Sequence, residues 1–357
     1  MSRFLDALRT QPLLFDGAMG TALIAAGLDL SKEPPEAWLL SHPETIQSIH
    51  TAFTPHADAL QTNTFGLLRL LRSTHPVCAT LNNALDLARL SVALTTPKAV
   101  GPTGNLFCGP RAAKMIAGKG AHAACSADEA SAASAHPASP KPWIIATLGP
   151  SGPPPTQQDA AQLRTWVTDL SHAFAEAGAD ALHLETTCDP TELAALLEGA
   201  WAGPLPVLVS MTVSLGQSGM ETPLGVPLQR MLRVIEEGPG LPIAIGVNCS
   251  LPARRMRRAV AELAEWAAAR RGKAPRVLAQ PQVDEPAPDC KRPPTPETPE
   301  RFANDLLLLR EEGAELLGGC CGCRPEHIAA VRAALNAEEE RRAESRAESQ
   351  AESQAES

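Results

Sequence analysis

Short apolar runs alternate along this chain with longer stretches in which apolar residues recur every three or four positions. The short runs are Leu13–Phe15, Ala59–Gln61, Trp143–Leu148, Ala181–Leu184, Val207–Met211, Ile243–Val247, Val277–Gln280 and Leu316–Gly319, and they read as buried strands. The longer stretches carry helical stripes. Leu163, Trp166, Val167, Leu170 and Phe174 form one, and Leu193, Leu196, Leu197 and Ala200 another. Leu228, Met231, Leu232 and Ile235 form a third, and Met256, Val260, Leu263 and Ala267 a fourth. Such stripes are core-facing sides of helices. Eight strand–helix alternations predict parallel strands covered by helices, and a single closed (β/α)8 TIM barrel fits the count best. A doubly wound open sheet is the alternative.

Two regions break the alternation. About 105–142 is rich in Ala, Ser, Gly and Pro and lies between a helical stretch and the third strand. It is predicted to be a low-complexity insertion in an αβ connection, on the face away from the strand carboxyl ends where barrel sites are built. The second is 337–357, which ends in Arg342-Ala-Glu-Ser345 and three similar tetrads without an apolar face. Its composition predicts a disordered, solvated tail with no core to join, at most extending the last helix. The expected organisation is therefore one barrel over 1–336 and a charged tail over 337–357. Pro286–Pro299 is Pro-rich and reads as an irregular rim loop.

Composition narrows the classes. The 357 residues suffice for one large core, and 44% hydrophobic content is that of a globular protein. A net charge of −9 argues against nucleic acid or an anionic membrane as partner. No apolar stretch approaches the roughly 18 residues of a membrane span. The N-terminus lacks the apolar core of a signal peptide, so the chain is read as cytoplasmic. Nine cysteines cannot all pair within one chain, and in a reducing compartment metal binding or burial accounts for them better. Tyrosine is absent, so recognition by aromatic cages is not expected.

Polar and small residues follow the strands: Asp16-Gly17, Thr62-Asn63-Thr64, Gly149-Pro-Ser151, Glu185, Asn248-Cys249 and Cys320-Cys321. In a barrel these positions converge on the carboxyl-terminal mouth. Cys249 alone reads as a small buried hydrophobe. The Cys320-Cys321 pair between Gly319 and Gly322 is different, because glycine lets the backbone turn both sulfurs toward one ion. Three thiols make a zinc site with one coordination position open. Cys323 is a spare thiol that might replace one of the pair, while Cys78, Cys108, Cys125, Cys188 and Cys290 have no such context. Asp16 and Glu185 are either helix-capping carboxylates or the grip for a substrate ammonium group. Asn248 adds an amide contact or orients the cysteine loop. His183, inside a strand, reads as a packed core histidine, and His327 as part of the start of the last helix.

Five segments carry a family resemblance. They are Phe15-Asp-Gly-Ala-Met-Gly-Thr21, Asp58-Ala-Leu-Gln-Thr-Asn-Thr-Phe-Gly66, Leu184-Glu-Thr-Thr-Cys-Asp189, Gly246-Val-Asn-Cys249 and Gly318-Gly-Cys-Cys-Gly322. From about Leu13 to Leu335, insertion excluded, the chain resembles the zinc-dependent homocysteine S-methyltransferase family. It is most similar to the homocysteine-binding domain of cobalamin-dependent methionine synthase and more distantly to betaine–homocysteine methyltransferase. The resemblance implies a (β/α)8 barrel, one Zn2+ per chain held by Cys249, Cys320 and Cys321, and contacts of Asp16 and Glu185 with the homocysteine amino group. The chain departs from the methionine-synthase branch at Pro281-Gln-Val-Asp284, where Pro-Asn-Ala-Gly is usual, and at Cys323-Arg324. The betaine branch's tyrosines are missing altogether.

The implied reaction is methyl transfer to the homocysteine thiol, giving methionine. The donor stays open among a methylsulfonium compound (S-methylmethionine or S-adenosylmethionine), betaine and a methyl-corrinoid. The chain has no Asp-x-His-x-x-Gly corrinoid motif, so a corrinoid would come in trans from a separate protein. Methylation of another thiol or selenol and a non-catalytic structural zinc protein are the competing readings.

Overall fold

The computed structural model describes residues 3–355 except 79, 97–140, 218, 271, 273 and 284–296. Eight parallel strands form one sheet: β1 (Leu13–Leu14), β2 (Ala59–Gln61), β3 (Trp143–Leu148), β4 (Ala181–Thr187), β5 (Val207–Met211), β8 (Ala244–Asn248), β9 (Arg276–Gln280) and β10 (Leu316–Leu317). Their order around the sheet is β1-β10-β9-β8-β5-β4-β3-β2, and a parallel bridge between Phe15 and Ala59 joins its two ends. The ring is thus a closed barrel and the open-sheet alternative falls. Arg332 reinforces the seam from outside by pairing with Asp58 at 2.6 Å, while Asp58 also accepts the Leu14 amide at 2.8 Å.

All eight expected strands are present. β2, β3 and β5 have the expected ends, β4 runs on to Thr187, and β10 stops at Leu317 because Gly318 and Gly319 turn into the cysteine loop. Two elements were not expected. A small antiparallel hairpin, β6 (Ser214–Gly216) with β7 (Gly219–Glu221), follows β5. The helix Arg3–Thr10 buries Phe4 and Leu8 in the same cluster as the inward residues of the strands, with the Phe4 ring 5.5 Å from Trp143.

Strand periodicity divides the interior into two zones. Alternate residues face the barrel axis. At the amino-terminal end these are Leu13, Phe15, Ala59, Ile145, Ala181, Leu208, Ala244, Leu278 and Leu316, which form one apolar cluster. Two residues further along, the same parity brings Gln61, Thr147, His183, Ser210, Gly246 and Gln280. The opposite parity, including Leu60, Ile144, Leu182, Val209, Ile245 and Val277, packs against the helices. Five of the strands (β2, β3, β4, β5 and β9) therefore carry a dry floor and a polar upper layer on one face.

Residues 97–140, and with them nearly all of the expected insertion, lie outside the described residues. The helix Leu81–Thr95 before them and the start of β3 after them bracket an αβ connection, as expected. The Pro-rich rim loop is largely outside as well (284–296), as are Cys108, Cys125 and Cys290. The tail was expected to be solvated, at most extending the last helix, and the last helix runs on through it from Pro325 to Ala355, as Ala, Glu, Arg and Gln all favour helix. Residues 339–346 are exposed throughout, so over that stretch the expectation that the tail joins no core holds. No described helix is long and apolar enough to cross a membrane.

Gly246 shows how full the barrel is. A Cβ added there would stand 2.4 Å from the Leu278 carbonyl oxygen and 2.7 Å from Leu278 Cβ. Gly246→Ala is therefore expected to lower the unfolding free energy by about 1–3 kcal/mol through overpacking, read as a lower urea midpoint at unchanged slope.

Candidate active site

The two cysteine loops hang on consecutive backbone carbonyls at the end of β9. The Cys249 amide donates to the Gln280 carbonyl at 3.0 Å, and the Cys320 amide to the Pro281 carbonyl at 2.8 Å. The Cys249 backbone is left-handed (φ 57°), as is Ser250 (φ 58°), so the loop turns sharply as it leaves β8. The Cys320-Cys321 loop is held further by Val283 N–H donating to the Cys321 carbonyl at 2.9 Å and Gly322 N–H to Thr21 Oγ1 at 3.1 Å. The result is a cluster in which the sulfurs of Cys249, Cys320 and Cys321 all lie within 4.8 Å of one another, Cys249 and Cys321 at 3.4 Å. Three soft donors at this spacing, with no histidine or carboxylate among them, suit zinc.

Cys323 does not join them. It is buried behind the loop, where a Cβ on Gly319 would meet its sulfur at 2.1 Å, and this contact requires glycine at 319. Within the cluster Cys249 ionises first. Thiol hydrogen bonds from Cys320 and then Cys321 pull it well below the usual thiol range, and donating to Cys249, with burial and the Cys249 charge adding to it, pushes both partners up.

The thiols open onto a cavity of about 300 Å³, also lined by Gly17–Thr21, Glu36, Gln61–Asn63, Phe65, Arg69, Thr147, Glu185 and Thr186. Glu185 is held on both oxygens: Gln61 Nε2 donates to Oε2 at 3.1 Å and Asn248 Nδ2 to Oε1 at 3.2 Å. Burial pushes its carboxyl up to about 7, the Cys249 charge adds to the rise, and the Gln61 bond opposes it. Thr186, next to it, has φ 61° at an irregularity in the pairing of β4 with β5. A β-branched residue in that region is strained. Asn248 clamps the kink: its Nδ2 donates to Thr186 Oγ1 at 2.7 Å and its Oδ1 accepts the Thr186 amide at 3.1 Å.

The structure thus brings Glu185 and the three cysteines to one cavity and places Asp16 and Asn248 beneath it. Asn248 is 1% exposed and uses its amide on β4. Asp16 is 3% exposed, accepts the Gln61 amide at 3.0 Å on Oδ2, and leaves Oδ1 buried without a partner. Burial, with Glu185 adding to it, holds the Asp16 carboxyl well above its ordinary range. His183 is a core histidine as expected, 2.9 Å from Ser210 Oγ and 3.2 Å from Gln61 Nε2. His327 lies near the start of the last helix, with Nε2 3.1 Å from the Glu297 carbonyl. Sequence reasoning passed over Gln61 as a strand end, although it ties Glu185, His183, Thr147 and Gln280 together. Glu36 and Arg69 were missed because they sit deeper in the connections, away from the strand-end positions that carried the signal.

A model of the family described as homocysteine S-methyltransferase matches residues 13–335. The chain belongs to the homocysteine S-methyltransferase family of enzymes. Methionine synthase of Mycobacterium tuberculosis is 27% identical over 349 residues, covering 93% of this chain and 25% of that protein. Methionine synthase of Mycobacterium leprae is 26% identical, with the same coverages. The chain therefore spans about a quarter of the length of these relatives. Among solved structures, the homocysteine methyltransferase MmuM from Escherichia coli superposes with a TM-score of 0.60 in its apo form, at 21% identity, covering 92% of this chain and 97% of that one. Its metallated form gives 0.62 at 20% identity, with coverages of 92% and 98%. These likenesses support the same barrel fold.

The buried histidines give the family member a defined acid response. Burial depresses both His50 and His183 to about 3. The unfolded chain takes up these protons below about 6.5 and the folded chain does not, so the stability is present above 6.5 and lost as pH falls toward 3. The loss is about 1.4 kcal/mol per pH unit for each histidine. Urea midpoints at pH 7.5 and 5.5 should show it, and His50→Leu should shrink the difference by one histidine's share.

Proposed function

We propose that this chain transfers a methyl group to the sulfur of L-homocysteine, giving methionine, with Cys249, Cys320 and Cys321 holding one zinc ion. The observation that carries this reading is the meeting of three sulfurs within 4.8 Å at the edge of a cavity that also presents the Glu185 carboxylate. A free thiol has a pKa of about 8.5, and zinc bound by three thiolates favours the deprotonated form of an added thiol. The remaining work belongs to the protein. Glu185 pairs with the substrate ammonium group, assisted from below by Asp16, whose Oδ1 has no other partner. Asn248 and Gln61 position Glu185. Fixing the amino-acid end in this way aims the sulfur at the methyl carbon. The sulfur lone pair forms the new S–CH3 bond while the donor's leaving group departs with the electrons of the old one. If the donor is a sulfonium or betaine, that group leaves as a neutral sulfide or amine, and no general acid is needed.

Donor identity is the finer question, with small methylsulfonium compounds, betaine and a separate methyl-corrinoid protein as the candidates. A structural zinc site normally has four protein ligands, and Cys323, the nearest fourth thiol in sequence, lies outside the group.

Methionine formation from homocysteine should be followed with zinc-loaded protein and each donor in turn. Cys249→Ala, Cys320→Ala and Cys321→Ala should each lose stoichiometric zinc and turnover together; full turnover by a metal-free variant would reject the mechanism. Glu185→Gln should keep zinc and raise the homocysteine KM about ten- to hundredfold, the worth of a hydrogen bond to a charged group. An unchanged KM would remove Glu185 from the site.

A further inference from the structure

Arg69 is the one side chain of fixed positive charge among the residues lining the cavity. It stands in the first turn of the helix Leu67–Arg72, which follows β2 directly. It is exposed at the cavity and forms no ion pair with a described residue. The other ionisable residues of the lining are Glu36, Glu185 and the three cysteines, every one of which is neutral or anionic. Glu36 is buried; its Oε1 accepts the Gly66 amide, at the start of the helix that carries Arg69, its Oε2 has no hydrogen-bond partner, and the Arg69 charge acts on its carboxyl without an ion pair forming.

Position around the ring matters as much as charge. Counting strands around the barrel, β2 lies four places from β8, which delivers Cys249, and two places from β4, which delivers Glu185. Thiols, carboxylate and guanidinium therefore approach the cavity from three sides. An amino acid bearing a thiol presents three groups of matching chemistry: sulfur, ammonium and carboxylate. A carboxylate beside thiolates and Glu185 is favoured where a cation stands, and a planar guanidinium offers two parallel N–H donors to it.

We infer that Arg69 receives the α-carboxylate of the thiol substrate and so makes the site specific for an amino acid over a simple aminothiol. This inference rests on the homocysteine reading above. The discriminating probe is 3-mercaptopropylamine, which keeps the thiol and the ammonium group of homocysteine and lacks only the carboxylate. Calorimetric titration of the zinc-loaded full chain should show wild type preferring homocysteine over 3-mercaptopropylamine. Arg69→Ala should reduce that preference about tenfold or more by weakening homocysteine alone, the size expected for one charge-assisted contact. Arg69→Lys should restore part of it, because a point charge lacks the fork. Zinc content should stay that of wild type in both variants. Equal weakening of both thiols, or a change confined to the KM of the methyl donor, overturns the assignment while leaving homocysteine methylation intact. Failure of zinc-loaded wild type to bind homocysteine overturns the underlying reading and the inference together.

Discussion

The site depends on the parallel register of three neighbouring strands. β8 and β10 flank β9, and the amides that follow them reach two successive carbonyls, those of Gln280 and Pro281. That pairing places residue 249 beside residues 320 and 321, although 72 positions separate Cys249 from Cys321. A one-residue slip of either outer strand would turn its inward residues outward and carry the cysteine loop off its carbonyl. Long-range closure of this kind is secured by the whole barrel, since the dry inner cluster fills only when all eight strands hold register.

Above that cluster, the polar layer works as a rigid support. Gln61, His183, Ser210, Asn248 and Gln280 come from five different strands and are linked by hydrogen bonds of 2.5–3.2 Å. Most of their polar atoms are matched, which is what allows so many to be buried. The strained Thr186 backbone persists because Asn248 holds its amide and its hydroxyl at once. The alternation that turns Ala181 and His183 inward puts the Glu185 carboxylate on the cavity wall while Leu184 remains in the outer core. The Asn-Cys dipeptide thus divides its labour, the asparagine fixing the carboxylate and the cysteine joining the sulfur cluster.

Much of this was legible beforehand. Period-two and period-three-to-four apolar patterns located the eight strands, and strand ends located the three cysteines and Glu185. The N-terminal helix was harder, since Phe4 and Leu8 are too few to mark a barrel plug without knowing that the inner cluster needs a cover. The β6–β7 hairpin has weak patterning and Leu215 is exposed, so no buried face announced it. Asp16 and Asn248 were both singled out as candidate substrate contacts. Their burial beneath the cavity depends on loop geometry, the left-handed turn at Cys249 and the kink at Thr186, which residue types alone do not specify. Helix propensity in the last tetrads carries the final helix into the solvated tail, because propensity acts locally and requires no core.

Charge accounts for the remaining character of the cavity. Burial holds the Asp16 and Glu185 carboxyls above their ordinary range, with Glu185 adding to the rise at Asp16 and Cys249 to that at Glu185, so these two carboxyls keep protons they would ordinarily lose. A site of this kind is completed by cations. On the proposed reading, a divalent metal among the thiols and an ammonium group at Glu185 would each replace protons with a positive charge that stays, which would tie binding to proton release. On the same reading, Arg69, the one fixed cation of the lining, would be the partner of a substrate carboxylate. The three ends of an amino-acid thiol would then be sorted by electrostatics, with its sulfur toward the cysteine cluster.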